Sequence, residues 1–280
     1  MNSMKTVFLL GLLTGLFLLV GYWLGGDQGM FLALIFSAVM NFVSYFFSDK
    51  LALAAYRAQP VTEAEAPKLY AIVQRLASKA SIPMPRLYVV PSPALNAFAT
   101  GRNPQHAAVA ATSGILEAMS EEELEGVLAH EISHVVNRDI LTSSVAATLA
   151  GALTFLTRFA YMAPRGDGDR RGNNPMALLF VILAPIAAML IQFAVSRSRE
   201  YGADSSGARL MGDPRPLASA LEKLGAASGR IPLEGATPTN AHLCIVNPLS
   251  GGGLMSLFST HPPLEQRIRR LLAMQGAPQR

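Results

Sequence analysis

The sequence predicts a mostly α-helical chain with a small β-sheet, an α+β unit carried by several membrane spans. Three observations predict it. Four stretches contain no charged residue: Thr6 to Leu24, Gln28 to Ser48, Leu141 to Thr157 and Gly172 to Ser196. A helix over 121–137 is signalled both at its start and along one apolar face. Short β-rich segments precede that helix at 86–90, 96–100 and 107–112.

The apolar stretches come first. The chain has 280 residues, of which 51% are hydrophobic and 15% charged. A soluble domain carries about 25% charge. Mean hydropathy is +0.32. Each stretch approaches or exceeds the roughly 18–20 residues that cross a bilayer as a helix. Arg158 closes the third, where its head can reach the interface. Pro185 kinks the fourth, which membrane helices tolerate. No small-residue cleavage site follows the first stretch and a second begins within a few residues, so a membrane hairpin is expected there rather than a signal peptide. The competing reading of the third and fourth is a buried hairpin of a soluble domain.

Lys and Arg placement sets the expected orientation. The turn Gly25-Gly26-Asp27 has none, whereas Asp49 to Asp139 holds Lys50, Arg57, Lys68, Arg75, Lys79, Arg86, Arg102 and Arg138. Both termini and the segment up to residue 139 are therefore expected in the cytoplasm. Arg165, Arg170 and Arg171 run against the rule in a four-span topology. The expected division is a membrane hairpin over 1–48, a cytoplasmic part over 49–139, a second hairpin over 140–196, and a second cytoplasmic part over 197–280.

Charge and cysteine usage exclude other classes. The net charge is +4, but no basic cluster carries interleaved aromatics, so a nucleic-acid partner is not expected. Loops facing the anionic headgroups of a lipid bilayer account for the positive balance. Cys244 is the one cysteine, which excludes an internal disulfide framework and a Cys-rich zinc site.

The helix over 121–137 carries the chemistry. Ser120 and Glu123 have capping-box spacing. Leu124, Val127, Leu128 and Ile132 follow at helical spacing. Within this helix lies His130-Glu131-Ile132-Ser133-His134. Residues four apart share a helix face, so the two imidazoles can bind one metal ion while Glu131 stands ready as a base. The arrangement is that of a zincin-like active-site helix. The plainer alternative is a surface helix with two ordinary histidines.

Catalytic zinc takes three protein ligands and keeps one position for water. Glu200 is the first carboxylate after the fourth apolar stretch, and Asp204 follows it by one helical turn. Glu200 can bind the metal while Asp204 accepts the N–H of a ligating imidazole and fixes its orientation. Spacing alone leaves a second reading equally open, a helix start with solvated ion pairs.

Four motifs occur in order. They are Asn96-Ala97-Phe98-Ala99-Thr100-Gly101, the His-Glu-x-x-His segment followed by Asn137-Arg138-Asp139, Arg199-Glu200-x-x-Ala203-Asp204, and Ser259-Thr260-His261-Pro262-Pro263. Together with the apolar stretches they resemble the HtpX family of membrane zinc metalloproteases, over essentially the whole chain. CAAX prenyl endopeptidases are more distant relatives. The resemblance implies one Zn2+ per chain, held by His130, His134 and Glu200, with Glu131 as catalytic base. It also implies an inner-membrane quality-control and stress-response endopeptidase acting on cytoplasmic regions of damaged membrane proteins. The family pattern often has Gly where this chain has Arg138.

Further roles are expected from chemistry. His261 is the candidate donor to the oxyanion, with Arg267 behind it; its alternative is a loop histidine before a helix starting at Pro262 or Pro263. Asn96, Ala97, Phe98 and Ala99 are expected to hold an extended polypeptide by strand addition; the alternative is a plain hairpin. Asp139, five residues past His134, can contact the site or cap the approach to the third stretch, and the second is the favoured expectation. An amphipathic helix is expected over 214–227, a long loop over 234–253, and a last helix with Leu264, Ile268, Leu271 and Leu272 at core spacing. The rival class is a non-catalytic membrane scaffold with a structural metal.

Overall fold

A computed structural model of the chain describes residues 2–146, 149, 197–228, 230, 233, 243–246 and 262–276. Most of the third apolar stretch, all of the fourth, the arginine-bearing loop between them, most of the 234–253 loop and His261 lie outside the described residues.

Helix α1 (Asn2–Ala55) is two helical arms joined at Gly25 and Gly26, whose backbone is not helical. Gly26 has φ +57°, a left-handed conformation that glycine adopts without a Cβ penalty. The arms run Thr6–Trp23 and Gly25–Ala55, and both are long and apolar enough to cross a membrane. A Cβ on Gly29 would collide with the carbonyl of Gly21, so small residues let the arms meet just beyond the turn. Farther along, Asn41 Nδ2 donates to Thr14 Oγ1 at 2.9 Å. Phe8, Trp23, Phe31, Leu32 and Phe42 stay more than half exposed, which water would penalise and lipid would not. Helical backbone at 140–146, the start of the third stretch, packs on the first arm. There Val145, Ala146 and Leu149 meet Leu9, Leu13 and Phe17, and the Thr6 and Thr142 hydroxyls lie 3.1 Å apart.

The sheet is small and mixed. β1 (Gln59–Pro60), β2 (Arg86–Val90), β3 (Ala97–Gly101) and β4 (Ala107–Thr112) are ordered β1-β2-β4-β3. β2 and β4 are parallel, while β1–β2 and β3–β4 are antiparallel. The three β-rich segments of the sequence correspond to β2, β3 and β4. β3 forms one edge, and its outer side faces the helix that carries Glu131.

Around the sheet pack α2 (Pro67–Lys79), α3 (Ser113–Ala118), α4 (Glu121–Val136), α5 (Arg197–Met211), α6 (Arg215–Ala227) and α7 (Leu264–Ala273). The amphipathic segment expected from 214 is α6, and the last helix is α7. Within α7, Leu271 is buried but Leu272 is 43% exposed, because the core-facing stripe passes through the aliphatic stem of Arg267 instead.

α4 is the centre of this layer. Its capping box is formed: Ser120 Oγ accepts from Glu123 N–H at 3.2 Å and Ser120 N–H donates to Glu123 Oε2 at 2.9 Å. Leu124, Val127, Leu128 and Ile132 are buried, each contributing roughly 1.5–3 kcal/mol relative to exposure. α5 approaches α4 most closely at Gly207, where a Cβ would stand 2.9 Å from the backbone nitrogen of His130. Neither backbone can yield there cheaply. Gly207→Val is therefore expected to destabilise the protein by roughly 1–3 kcal/mol. Gly202→Ala, on the same helix and meeting nothing within 4 Å, should leave stability unchanged or raise it slightly. Thermal unfolding in detergent reads both.

Candidate metal centre

His130 and His134 project from successive turns of α4, with their ring planes at 89°. Their Nε2 atoms are 3.2 Å apart. Glu200, from the first turn of α5, brings Oε2 to 3.7 Å from His130 Nε2 and Oε1 to 3.6 Å from His134 Nε2. All three groups are buried or nearly so. The order of these elements explains the convergence. Glu200 enters beside the imidazoles because Gly207, farther along α5, lets the two backbones touch.

The other ring nitrogens fix the protons. His130 Nδ1 is 2.9 Å from Asp204 Oδ1, and His134 Nδ1 is 3.3 Å from Asp139 Oδ2. A carboxylate only accepts, so each Nδ1 carries a hydrogen and leaves its Nε2 to face the Glu200 carboxylate. The two Nε2 atoms and that carboxylate converge on one point that draws in a positive charge, a proton at His134 in the metal-free protein or a metal ion in its place. Zinc–nitrogen and zinc–oxygen bonds of about 2.0–2.2 Å place the donors of a tetrahedral ion roughly 3.3–3.5 Å apart. The observed separations of 3.2, 3.6 and 3.7 Å fit that spacing.

The charges agree. Glu131, Asp139, Glu200 and Asp204 are all buried. They face two guanidinium groups, those of Arg267 and Arg199. Four buried carboxyl groups against two guanidinium groups make the pocket one that suits a cation. Arg267 is fully buried in α7. It donates to Asp204 from Nε at 2.9 Å and from Nη2 at 2.7 Å, and its Nη1 donates to the carbonyl of Ile245 at 2.9 Å. Burial alone would raise the Asp204 carboxyl, but the Arg267 charge and hydrogen bonds outweigh it and hold the group at about 2. Burial lowers His130, opposed by Asp204. Burial also acts to lower His134, but the Asp139 contact and the Glu200 and Glu131 charges prevail and raise it. That imidazole sits in a cation-seeking field.

Glu131 turns away from the ligand set toward the sheet, and its Oε2 accepts the Ala99 N–H of edge strand β3 at 2.8 Å. Burial and the nearby Glu200 charge push it up to about 7, against the pull of His134 and the Ala99 bond. A cleft beside it is lined by Ala99, Ile140, Ser143, Arg199, Leu243 and Cys244 together with the metal-facing groups.

The remaining expected positions are distributed as follows. Asp204 lies directly behind His130. Asn96 is buried, and its Oδ1 accepts from Ile245 N–H at 3.3 Å. The Ala97 and Phe98 side chains lie in apolar cores, Phe98 against the Tyr56 ring at 5.1 Å, so only their main chain can meet a ligand. His261 is outside the described residues. Arg267, expected behind His261, pairs with Asp204; its relation to His261 lies outside the described residues. Asp139, expected as a cap, lies against His134. The cause is Arg138, whose φ of +56° turns the chain sharply so that Asp139 N–H donates back to His134 O at 3.0 Å. A left-handed residue there explains why glycine suits this position. Sequence spacing gave no sign of the Ile245 backbone or of the Ala99 N–H, because both contacts depend on tertiary approach.

Residues 63–275 match the sequence profile of Peptidase family M48. A protein named Protease HtpX homolog from Methylibium petroleiphilum is 53% identical over 100% of this chain and 99% of its own length. One of the same name from Persephonella marina is 54% identical over 98% of both chains. The chain belongs to peptidase family M48, among the HtpX proteases. It is a metalloprotease. The crystal structure of S. mikatae Ste24p shares the fold of this M48 chain, with a TM-score of 0.52 and 18% identity, covering 96% of this chain. The present chain spans 64% of that protein's length.

Two outcomes follow for the metal-free protein. Arg267→Met strands a buried Asp204 charge, so stability should fall by about 3–5 kcal/mol. The Asp204→Asn/Arg267→Met double variant should lose less than the sum of the two single losses, as read by denaturant unfolding. Glu131 has a folded pKa of about 7 against an ordinary 4.5. Its ionisation therefore costs nothing below pH 4.5, costs progressively more up to pH 7, and stays at full cost above. Glu131→Gln should leave stability unchanged at pH 4 and raise it by roughly 3 kcal/mol at pH 8.

Proposed function

We propose that the chain is a membrane-bound, zinc-dependent endopeptidase that hydrolyses peptide bonds in cytoplasmic regions of damaged or misfolded membrane proteins, at the inner membrane. The observation that carries this reading is the convergence of His130, His134 and Glu200, their donor atoms 3.2–3.7 Å apart, with a second carboxyl group, Glu131, held beside them. Two nitrogens and one oxygen favour zinc over magnesium or calcium, which take oxygen-rich cages. Three protein donors and an adjacent cleft suit a catalytic ion, whereas a structural zinc closes its shell with four.

Held by His130, His134 and Glu200, the ion would supply Lewis-acid polarisation of the scissile carbonyl and would acidify a water. Glu131 is assigned as the group that takes the proton of the attacking water and returns it to the departing amine. Asp204 and Arg267 keep His130 in one tautomer and one orientation. His261 is assigned as the donor to the oxyanion. The extended substrate is assigned to the outer edge of β3 over 96–99, where the main chain runs beside Glu131.

The two apolar arms of α1 support membrane insertion. The eight Lys and Arg residues between Asp49 and Asp139 support a cytoplasmic face. We assign the membrane hairpins to 1–48 and 140–196, with the catalytic parts at 49–139 and 197–280.

Purified protein stripped of metal and then supplied with zinc tests the proposal through cleavage of itself or of a misfolded membrane substrate. The parent should cleave. Glu131→Gln should bind zinc with unchanged stoichiometry yet cleave at least about a thousandfold more slowly, having lost its proton acceptor. Glu200→Ala should lose zinc. Retention of full biological function by Glu131→Gln would instead establish the scaffold reading.

A further inference from the structure

The two imidazoles are held by different devices. His130 is fixed from the side of α7, through Asp204 and the fully buried Arg267. His134 faces the opposite way, toward the residue at which the third apolar stretch begins. There Asp139 is 4% exposed and its Oδ2 stands 3.3 Å from His134 Nδ1. Its other oxygen, Oδ1, lies 3.9 Å from Arg199 Nη1, inside ion-pair range and beyond a direct hydrogen bond. Arg199 Nε and Nη1 are buried without a hydrogen-bond partner. Its guanidinium therefore serves as a charge facing Asp139, one residue before the Glu200 carboxylate.

Two constraints fix Asp139 in place. On one side the left-handed Arg138 closes the turn, so that Asp139 N–H reaches His134 O at 3.0 Å. On the other, the helical backbone at 140–146 is held against the first arm of α1, with Thr142 and Thr6 in hydroxyl contact. A carboxylate on so short a turn has little freedom to leave the imidazole.

We propose that Asp139 is a positioning residue for His134, with Arg199 as its counter-charge, so that the second imidazole is oriented from the membrane side by a relay separate from the one holding His130. The proposal rests on His130, His134 and Glu200 being the metal ligands. The ordinary alternative is that Asp139 only closes the turn after α4 and stabilises the fold without touching metal affinity.

The test measures zinc affinity of the full-length protein in detergent, by competition with a chromogenic chelator, alongside thermal unfolding of each metal-free variant. Asp139→Ala is expected to weaken zinc about 10–100-fold, as loss of a carboxylate behind a ligating imidazole does. Asp139→Asn preserves shape and can still accept from Nδ1, so it should fold and lose affinity severalfold, a partial rescue. Arg199→Met should weaken zinc in the parent but add nothing in the Asp139→Ala background. Asp139→Ala and Asp204→Asn should combine multiplicatively, because they act on different rings. His134→Ala and Glu200→Ala serve as controls. If both controls lose zinc while Asp139→Ala and Asp139→Asn stay within twofold of the parent, the positioning role is overturned and the metal site stands. If the controls also keep zinc, the ligand assignment itself fails. A fall in metal-free stability with unchanged affinity likewise decides for the turn-closing role.

Discussion

Three lone-pair-bearing atoms aimed at one another in a buried space form the constraint on which the rest of the structure depends. His130 Nε2, His134 Nε2 and the Glu200 carboxylate stand 3.2–3.7 Å apart. Packing alone would not select that arrangement, because each polar group loses water there. It persists because surrounding groups leave it no alternative. Each Nδ1 is committed to a carboxylate, which fixes the tautomer. The carboxylates in turn face Arg267 and Arg199, and Arg267 holds the Asp204 carboxyl low. The chain thereby assembles a buried site with more carboxyl than guanidinium groups, one that a cation completes.

The fold reads as the means of enforcing that arrangement. α4 must be rigid and buried, so it starts at a complete capping box and sets Leu124, Val127, Leu128 and Ile132 into the core. α5 must bring a carboxylate within reach of two rings, and Gly207 removes the side chain that would keep the backbones apart. The mixed sheet ends in β3, whose Ala99 N–H binds Glu131 and keeps it from joining the ligand set. A base that coordinated the metal would be lost to proton transfer, so this one hydrogen bond separates the role of Glu131 from that of Glu200 although both are buried carboxylates. The backbone of Ile245 is held between Asn96 and Arg267, which ties the cleft wall to both the sheet edge and α7.

Local features of this fold are legible in the sequence and long-range ones much less so. The capping box, the apolar stripe of α4, the strands of the sheet, the α1 hairpin with its glycine turn, and α6 follow from spacing and residue type, because each is decided within a few residues. The metal-facing pair on α4 is legible for the same reason, since four residues make one helical turn. Glu200 is different. Its spacing from Asp204 suits a solvated helix as well as a metal site, and only the resemblance to a family separated the two. Asp139 was misjudged because its role depends on the left-handed turn at Arg138, a conformation that no pattern announces for arginine. Arg267 was expected near the site, but its pairing with Asp204 was not foreseen, since the contact between α7 and α5 crosses many intervening residues. The side chains of Ala97 and Phe98 proved to be core, which leaves their segment only a main-chain part in recognition.

The same convergence limits how the chain can lie in a membrane. His134 closes the first catalytic part and Glu200 opens the second, yet their donor atoms are 3.6 Å apart. Whatever the chain does between Asp139 and Arg197, it must cross the bilayer an even number of times, zero included. The residues after Asp139 bear on the choice, because 140–146 is helical and packs along the arm Thr6–Trp23, itself long and apolar enough to span. A segment leaving the metal site in contact with such a helix is directed into the same layer, and a long charge-free stretch lies ahead of it in the sequence before Arg197. A return crossing would complete the hairpin assigned to 140–196. On that geometry the metal lies just outside the apolar layer, where Glu121, Glu122 and Glu125 at the far end of α4 remain in water. Burying them instead would cost several kcal/mol each.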